Sequence, residues 1–264
     1  MSSTEETLDQ PLLRVTNLAK SYGGNAACRD VSFDLWPGEI LAVVGESGSG
    51  KTTLLKCISA QLACDDGRIE YLMRDGILRD IHGLSEAERR FLMRTDWGFV
   101  HQNPRDGLRM RVSAGANIAE RMIAVGGRNY GKIRGTAENW MDQVELDPGR
   151  VDHQPGTFSG GMQQRLQIAR NLVTHPRLVF MDEPTGGLDV SVQARLLDLL
   201  RSLVSKLQLS AVLVTHDLAV ARLLSHRIMV MQGGEVIETG LTDQVLDDPQ
   251  HPYSQMLVSS ILPV

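Results

Sequence analysis

Three cysteines, Cys28, Cys57 and Cys64, are all that this 264-residue chain carries, an odd set with no C-x-x-C spacing. That excludes a disulfide framework and argues against a cysteine-bound metal cluster; reduced thiols of a cytoplasmic protein are the expectation. No excess of positive charge exists either. The formal net charge is -5, which gives no support to a generally nucleic-acid-binding or membrane-adhering surface. Nor does any apolar run approach the roughly 18 residues a spanning helix requires. Residues 1–10 are polar and acidic and lack the apolar core of a signal peptide, so they read as a disordered tail. Internal repeats and low-complexity blocks are missing as well. With 42% hydrophobic and 22% charged residues, the composition is that of an ordinary soluble globular protein.

One stretch organises what is present. Gly45-Glu46-Ser47-Gly48-Ser49-Gly50-Lys51-Thr52 fits G-x-x-x-x-G-K-[ST] and follows the apolar run 40–44. Residues 52–60 read as a helix, so the context is strand, loop, helix. Phosphate chemistry needs that order. Glycines let the backbone wrap a polyphosphate, and successive amide N–H groups with the helix N-terminus make an anion nest. Lys51 then reaches the β- and γ-phosphates, the Thr52 hydroxyl ligates Mg²⁺, and Thr53 completes the nucleotide-binding set.

The rest of the chain alternates. Residues 12–15 and 31–35 read as strands, with Ser21-Tyr22-Gly23-Gly24 between them. Tyr22 is either a packed strand aromatic or a ring for stacking on a base. Residues 68–71 and 97–100 are further strands, and 85–90 an N-capped surface helix. From His101-Gln102-Asn103-Pro104 to about residue 175 the pattern is helical, broken at Gly126-Gly127 and at Asp147-Pro148-Gly149. The α/β pattern returns with strand 178–183, helix 191–207, strand 211–214, helix 217–224, two short strands and a C-terminal helical stretch.

Two later motifs complement the loop. A strand ending in Asp182-Glu183 offers one carboxylate to a Mg²⁺ shell and its neighbour to an attacking water. Ser159-Gly160-Gly161-Met162-Gln163 opens a helix, which makes either a simple N-cap or a second anion site.

The ordered set of Tyr22, 45–52, Gln102, 159–163, 178–183, Gly187-Leu188-Asp189 and His216 resembles an ATP-binding cassette ATPase. That resemblance implies a P-loop α/β fold with a RecA-like core (about 11–102 and 175–246), an antiparallel β subdomain, a helical subdomain (about 103–174) and a C-terminal helical segment (247–264). It also implies ATP and Mg²⁺ as cofactors and a dimer of ATP-binding subunits. Tyr22 then resembles the adenine-stacking aromatic and Gln102 the metal-sensing glutamine. Ser159, Gly160, Gly161, Met162 and Gln163 resemble the signature that meets the partner's γ-phosphate. Asp182 resembles the Mg²⁺-shell residue, Glu183 the catalytic base, Asp189 the dimer contact and His216 the γ-phosphate switch. Met162 stands where the family usually has glutamine, and Phe158 where leucine is common; the amides do most of the phosphate work, so a retuned site is expected.

Within the family, residues 247–259 look like the C-terminal segment of oligopeptide and nickel importer ATPases. Those usually continue into a longer tail, and the arginine-rich stretch 103–115 departs from their pattern. Taken together, the chain is most similar to the ATP-binding subunits of the bacterial carbon–phosphorus lyase system for phosphonate breakdown. Docking on a soluble multi-subunit enzyme core follows from that resemblance, with importer ATPase as the alternative. Coiled coils, zinc modules and a second cassette, expected of a nucleic-acid-maintenance ATPase, are lacking.

Overall fold

Five apolar residues in succession suit a strand covered on both faces, and Ile40–Val44 (β3) is buried throughout. The computed structural model describes residues 10–260. The tail expected over 1–10 therefore lies outside the described residues except for Gln10, as do residues 261–264 of the C-terminal stretch. Among the described residues two compact units result, one built from 10–89 and 209–260 and the other from 90–208.

In the first unit, β3 lies between β8 (Ser210–Val214) and β9 (Arg227–Gln232), parallel to both. Strand β10 (Glu235–Leu241) pairs antiparallel with β9. A second, antiparallel sheet has the order β2-β1-β4-β5, from β1 (Leu13–Tyr22), β2 (Asn25–Leu35), β4 (Asp66–Leu72) and β5 (Leu78–Asp80). Strands β1 and β2 run well beyond the alternating stretches 12–15 and 31–35. Register shifts interrupt their pairing after Val15, and Asn17 (φ 51°) and Asp30 (φ 49°) are left-handed there. Such bulges break the period-2 pattern on which strand recognition depends. Strand β5 is three half-buried residues and offers no alternation at all.

Helix α1 (Lys51–Ile58) follows β3, and α8 (Leu218–Leu224), α9 (Thr242–Asp247) and α10 (Pro252–Ser259) complete the unit. Ala42, Val44, Ile228 and Val230 form one cluster with Leu218 and Ala221 of α8, Val245 and Leu246 of α9, and Tyr253 of α10. The C-terminal helices are thus part of the core beneath β3.

The second unit holds the parallel pair β6 (Trp97–Val100) and β7 (Leu178–Asp182), into which the end of α2 (Glu86–Thr95) leads. Between the two strands lie α3 (Pro104–Gly107), α4 (Ala114–Ala124), α5 (Tyr130–Gln143) and α6 (Gly160–Leu172); α7 (Val190–Leu207) follows β7. The breaks fall where the glycines and Pro148 put them. Asn103, Ser113, Asn129 and Ser159 each cap a helix by accepting a backbone N–H through the side chain. The Trp97 and Phe180 rings meet edge to face at 5.5 Å between the paired strands. Among the described residues no helix is long and apolar enough to cross a membrane.

Candidate nucleotide site

Residues 45–50 form the loop between β3 and α1. Gly50 (φ 103°) sits where a Cβ would come within 1.9 Å of the Ala27 carbonyl oxygen, so only glycine fits this turn. Lys51 is buried at 6% exposure and folds back into the loop. Its ammonium donates to the Gly45 carbonyl at 2.8 Å and the Glu46 carbonyl at 2.6 Å, with Ser49 Oγ at 3.4 Å. A compact cation is thereby held inside a ring of main chain, while the Glu46, Ser47 and Gly48 positions stay open to solvent. Thr52, also exposed, is the second residue of α1, where helix N–H groups have no intrahelical acceptor.

His216 belongs to this unit. Val43 and Val214 are register partners across β3 and β8, and the Thr215 N–H donates to the Val43 carbonyl. His216 therefore leaves β8 level with the point where Gly45 leaves β3, and it is exposed. Asp217 caps α8 beside it by accepting from the Ala219 and Val220 amides. Tyr22 ends β1, is 51% exposed, and has the Lys20 ammonium 5.8 Å from its ring centre.

The remaining predicted residues share the second unit. Gln102 is the second residue after β6, and its side chain lies against Gly186, where a Cβ would sit 3.1 Å from Gln102 Nε2. Asp182 ends β7; Glu183 comes next in a left-handed conformation (φ 46°), its carbonyl closing the turn by accepting the Gly186 N–H at 2.8 Å. A non-glycine residue held there is a strained feature of the kind found at functional turns. Asp189 is the exposed N-cap of α7, and its main-chain carbonyl accepts from Val192 and Gln193. A cleft of about 510 Å³ is lined by Gln102, Arg105, Phe158, Gly160, Gln164 and Leu188, which gathers the hinge glutamine, the start of α6 and the turn after β7.

Ser159 and Gly160 are exposed, and Ser159 Oγ accepts the Met162 N–H at 3.4 Å. Gln163 is buried, its amide donating to the carbonyls of Pro155 (2.9 Å) and Phe158 (3.0 Å), and so holds the approach to the motif. Sequence reasoning missed the residues that fix these loops. Arg150 donates to the Thr157 carbonyl, stacks over Phe158 and reaches Met162 Sδ at 3.8 Å. Gln164 and Gln167, buried on α6, bond the main chain of His101, and Asn171 accepts the Phe99 N–H, all just ahead of Gln102. Glutamines at i and i+3 among the apolar positions of a helix were the available signal.

Arg121 completes that network. It donates to Asn171 and to the carbonyls of Met93, Arg94 and Trp97, and burial pulls its pKa down to about 10. Burial likewise pushes Cys28 up to about 12 and Cys57 up to about 11, so neither is a reactive thiolate. Thr52 of the first unit offers a hydroxyl, and Gln102 and Asp182 of the second offer an amide carbonyl and a carboxylate. Oxygen donors of these kinds suit a hard cation such as Mg²⁺.

Comparison with known proteins gives the family. A family model described as ABC transporter matches residues 28–186. The putative phosphonates utilization ATP-binding protein PhnK of Escherichia coli (strain K12) is 64% identical, over 97% of this chain and 99% of that protein. The oligopeptide transport ATP-binding protein OppD of Bacillus subtilis (strain 168) is 37% identical, over 95% of this chain and 72% of that protein. Among solved structures, the ATP-binding cassette MJ0796, dimeric in a post-hydrolysis state with ADP and Pi, superposes with a TM-score of 0.77. It is 30% identical and covers 87% of this chain and 98% of its own. A glycine loop built around a buried lysine and a match over most of the chain lead to one conclusion: the chain belongs to the ABC transporter family, as an ATP-binding cassette that hydrolyses ATP.

Proposed function

We propose that this cassette dimerises around MgATP and docks on the soluble carbon–phosphorus lyase core to support phosphonate breakdown in the cytoplasm. The observation that carries the reading is the 64% identity, almost end to end, to a protein named for phosphonate utilization. The exposed arginines Arg105, Arg109 and Arg111 add to it, in a stretch that departs from the pattern expected of importer ATPases.

In this reading the 45–52 loop cradles the β- and γ-phosphates through main-chain N–H groups, Lys51 supplies the fixed positive charge, and Thr53 adds to the nucleotide contacts. Tyr22 offers its exposed ring to the adenine. Mg²⁺, held through Thr52, Gln102 and Asp182, would neutralise charge on the phosphates. Glu183 accepts a proton from the attacking water, a role that typically contributes about 10²–10⁴-fold in rate. His216 contacts the γ-phosphate. Ser159, Gly160, Gly161, Met162 and Gln163 act on the nucleotide of the second subunit, and Asp189 on the interface between the two.

Glu183→Gln tests the cassette chemistry. The amide preserves shape and removes the base, so the variant should bind MgATP, hydrolyse it very slowly and sediment as a dimer whose population grows with ATP. A strictly monomeric variant at saturating ATP would sink the two-subunit site. Affinity purification from phosphate-starved cells tests the pathway. Soluble lyase subunits are expected; integral permease subunits would instead favour an importer, the reading that the 37% identity to an oligopeptide transport protein supports.

A further inference from the structure

The peptide group joining Gly45 to Glu46 is held from both ends. Its carbonyl accepts from the Lys51 ammonium at 2.8 Å, and its N–H donates to the Tyr253 hydroxyl at 3.0 Å. Tyr253 comes from α10, about two hundred residues further along the chain. Its ring is 6% exposed and packs among Val44, Ile228, Leu246 and their neighbours, so the hydroxyl has little freedom to move. Lys51 belongs to the 45–52 stretch, whereas the restraint on the N–H comes from outside it. Gly45 (φ 147°) has no Cβ, because one would meet the Met231 carbonyl oxygen at 2.2 Å, and a glycine-flanked peptide turns with little steric resistance.

The tyrosine is anchored in turn. Glu238 of β10 accepts the Gln250 N–H at 2.8 Å and the His251 N–H at 3.0 Å, which pins the chain entering α10. His251 then caps that helix, its Nδ1 accepting the Tyr253 N–H at 3.1 Å. A continuous chain of contacts thus runs from β10 through the start of α10 to the first turn of the phosphate loop.

We propose that Tyr253 is a positioning residue of the nucleotide site, its hydroxyl locking the Gly45–Glu46 peptide so that the carbonyl keeps Lys51 aimed within the loop before nucleotide arrives. Nucleotide affinity then depends on how α10 is docked. A pre-set loop binds more tightly because less ordering remains to be done on binding. The inference rests on reading 45–52 as the phosphate loop, and Lys51→Ala tests that reading on its own by whether MgADP binding is lost.

Tyr253→Phe in the full chain isolates the hydroxyl, since the ring still fills its place. MgADP binding by calorimetry should weaken about fivefold, the scale of one neutral hydrogen bond. The KM for ATP should rise in parallel, with kcat held within about twofold, the mark of lost binding rather than lost chemistry. Amide exchange gives a readout that general destabilisation does not. The Glu46 N–H should exchange about tenfold faster while Val43 and Val44, deep in β3, stay as in the wild type. Unchanged or tighter MgADP binding would overturn the proposal, as would unchanged exchange at Glu46. Wild-type MgADP binding by Lys51→Ala would instead dispose of the phosphate-loop reading itself.

Discussion

The guanidinium of Arg150 stacks 4.2 Å from the centre of the Phe158 ring. Phe158 and Met162 are the two positions at which residues 158–163 depart from the pattern that the sequence resemblance implies, and Arg150 touches both. Its further hydrogen bonds to the carbonyl and hydroxyl of Thr157 make it a brace for the loop that leads into α6. The two departures therefore belong to one aromatic–guanidinium–thioether arrangement.

Arg150→Ala should lower ATP turnover by on the order of fivefold, from the loss of a cation–π contact and a hydrogen bond. MgADP binding should not change, because the phosphate loop belongs to the other unit. Steady-state ATPase with parallel calorimetry checks this. Equal losses of binding and turnover would show that Arg150 supports the fold at large.

Gln167→Leu should be costly to stability. Gln167 is fully buried, accepts the His101 N–H at 2.8 Å and donates to the His101 carbonyl at 3.1 Å. Leucine keeps the bulk and removes the acceptor of the His101 N–H, while Gln164 still donates to the His101 carbonyl at 3.2 Å, so the penalty is about 1–3 kcal/mol. At about 2–4 °C per kcal/mol for a chain of this size, the melting temperature should fall by several degrees. A shift under about 1 °C would mean that water or another side chain replaces the amide.

The Glu238 carboxylate links stability to pH. Burial would raise its pKa, but the amides of Gln250 and His251 favour the charged form and leave it below the ordinary value. The folded state therefore gains stability that is fully present above the ordinary glutamate pKa of about 4.3 and is lost as pH falls through the lowered folded value. Glu238→Gln should melt below wild type at pH 7, and the gap should narrow as pH falls below the ordinary glutamate value and close once it passes the lowered folded one. A gap independent of pH would show that charge on Glu238 is immaterial.

Arg105, Arg109 and Arg111 are all exposed, and Arg109 is already paired with Glu120 at 2.7 Å. Replacing the three by serine should weaken complex formation with the lyase core in a salt-dependent way while basal ATPase persists. Arg105 and Arg111 should carry most of the effect, since an exposed pair already offsets the charge of Arg109. Equal binding by triple variant and wild type at low salt would remove these residues from the docking surface.

Local chemistry by itself determined the phosphate loop, the strand ending in Asp182, the helix starts at Ser159 and Asp217, and the breaks at Gly126 and Pro148. Each of these is written in consecutive residues, as a run of apolar side chains, a cap or a conformation only glycine adopts. The length of β1 and β2 was hidden because bulges at Asn17 and Asp30 disturb the alternation. Only the tertiary structure decided which distant side chains hold the loops still. Tyr253 reaches Glu46, Arg150 reaches Phe158, and Gln167 reaches His101, each across a sequence gap that no local pattern spans. Such contacts depend on where a packed core leaves a hydroxyl, a guanidinium or an amide, and packing is a property of the whole fold.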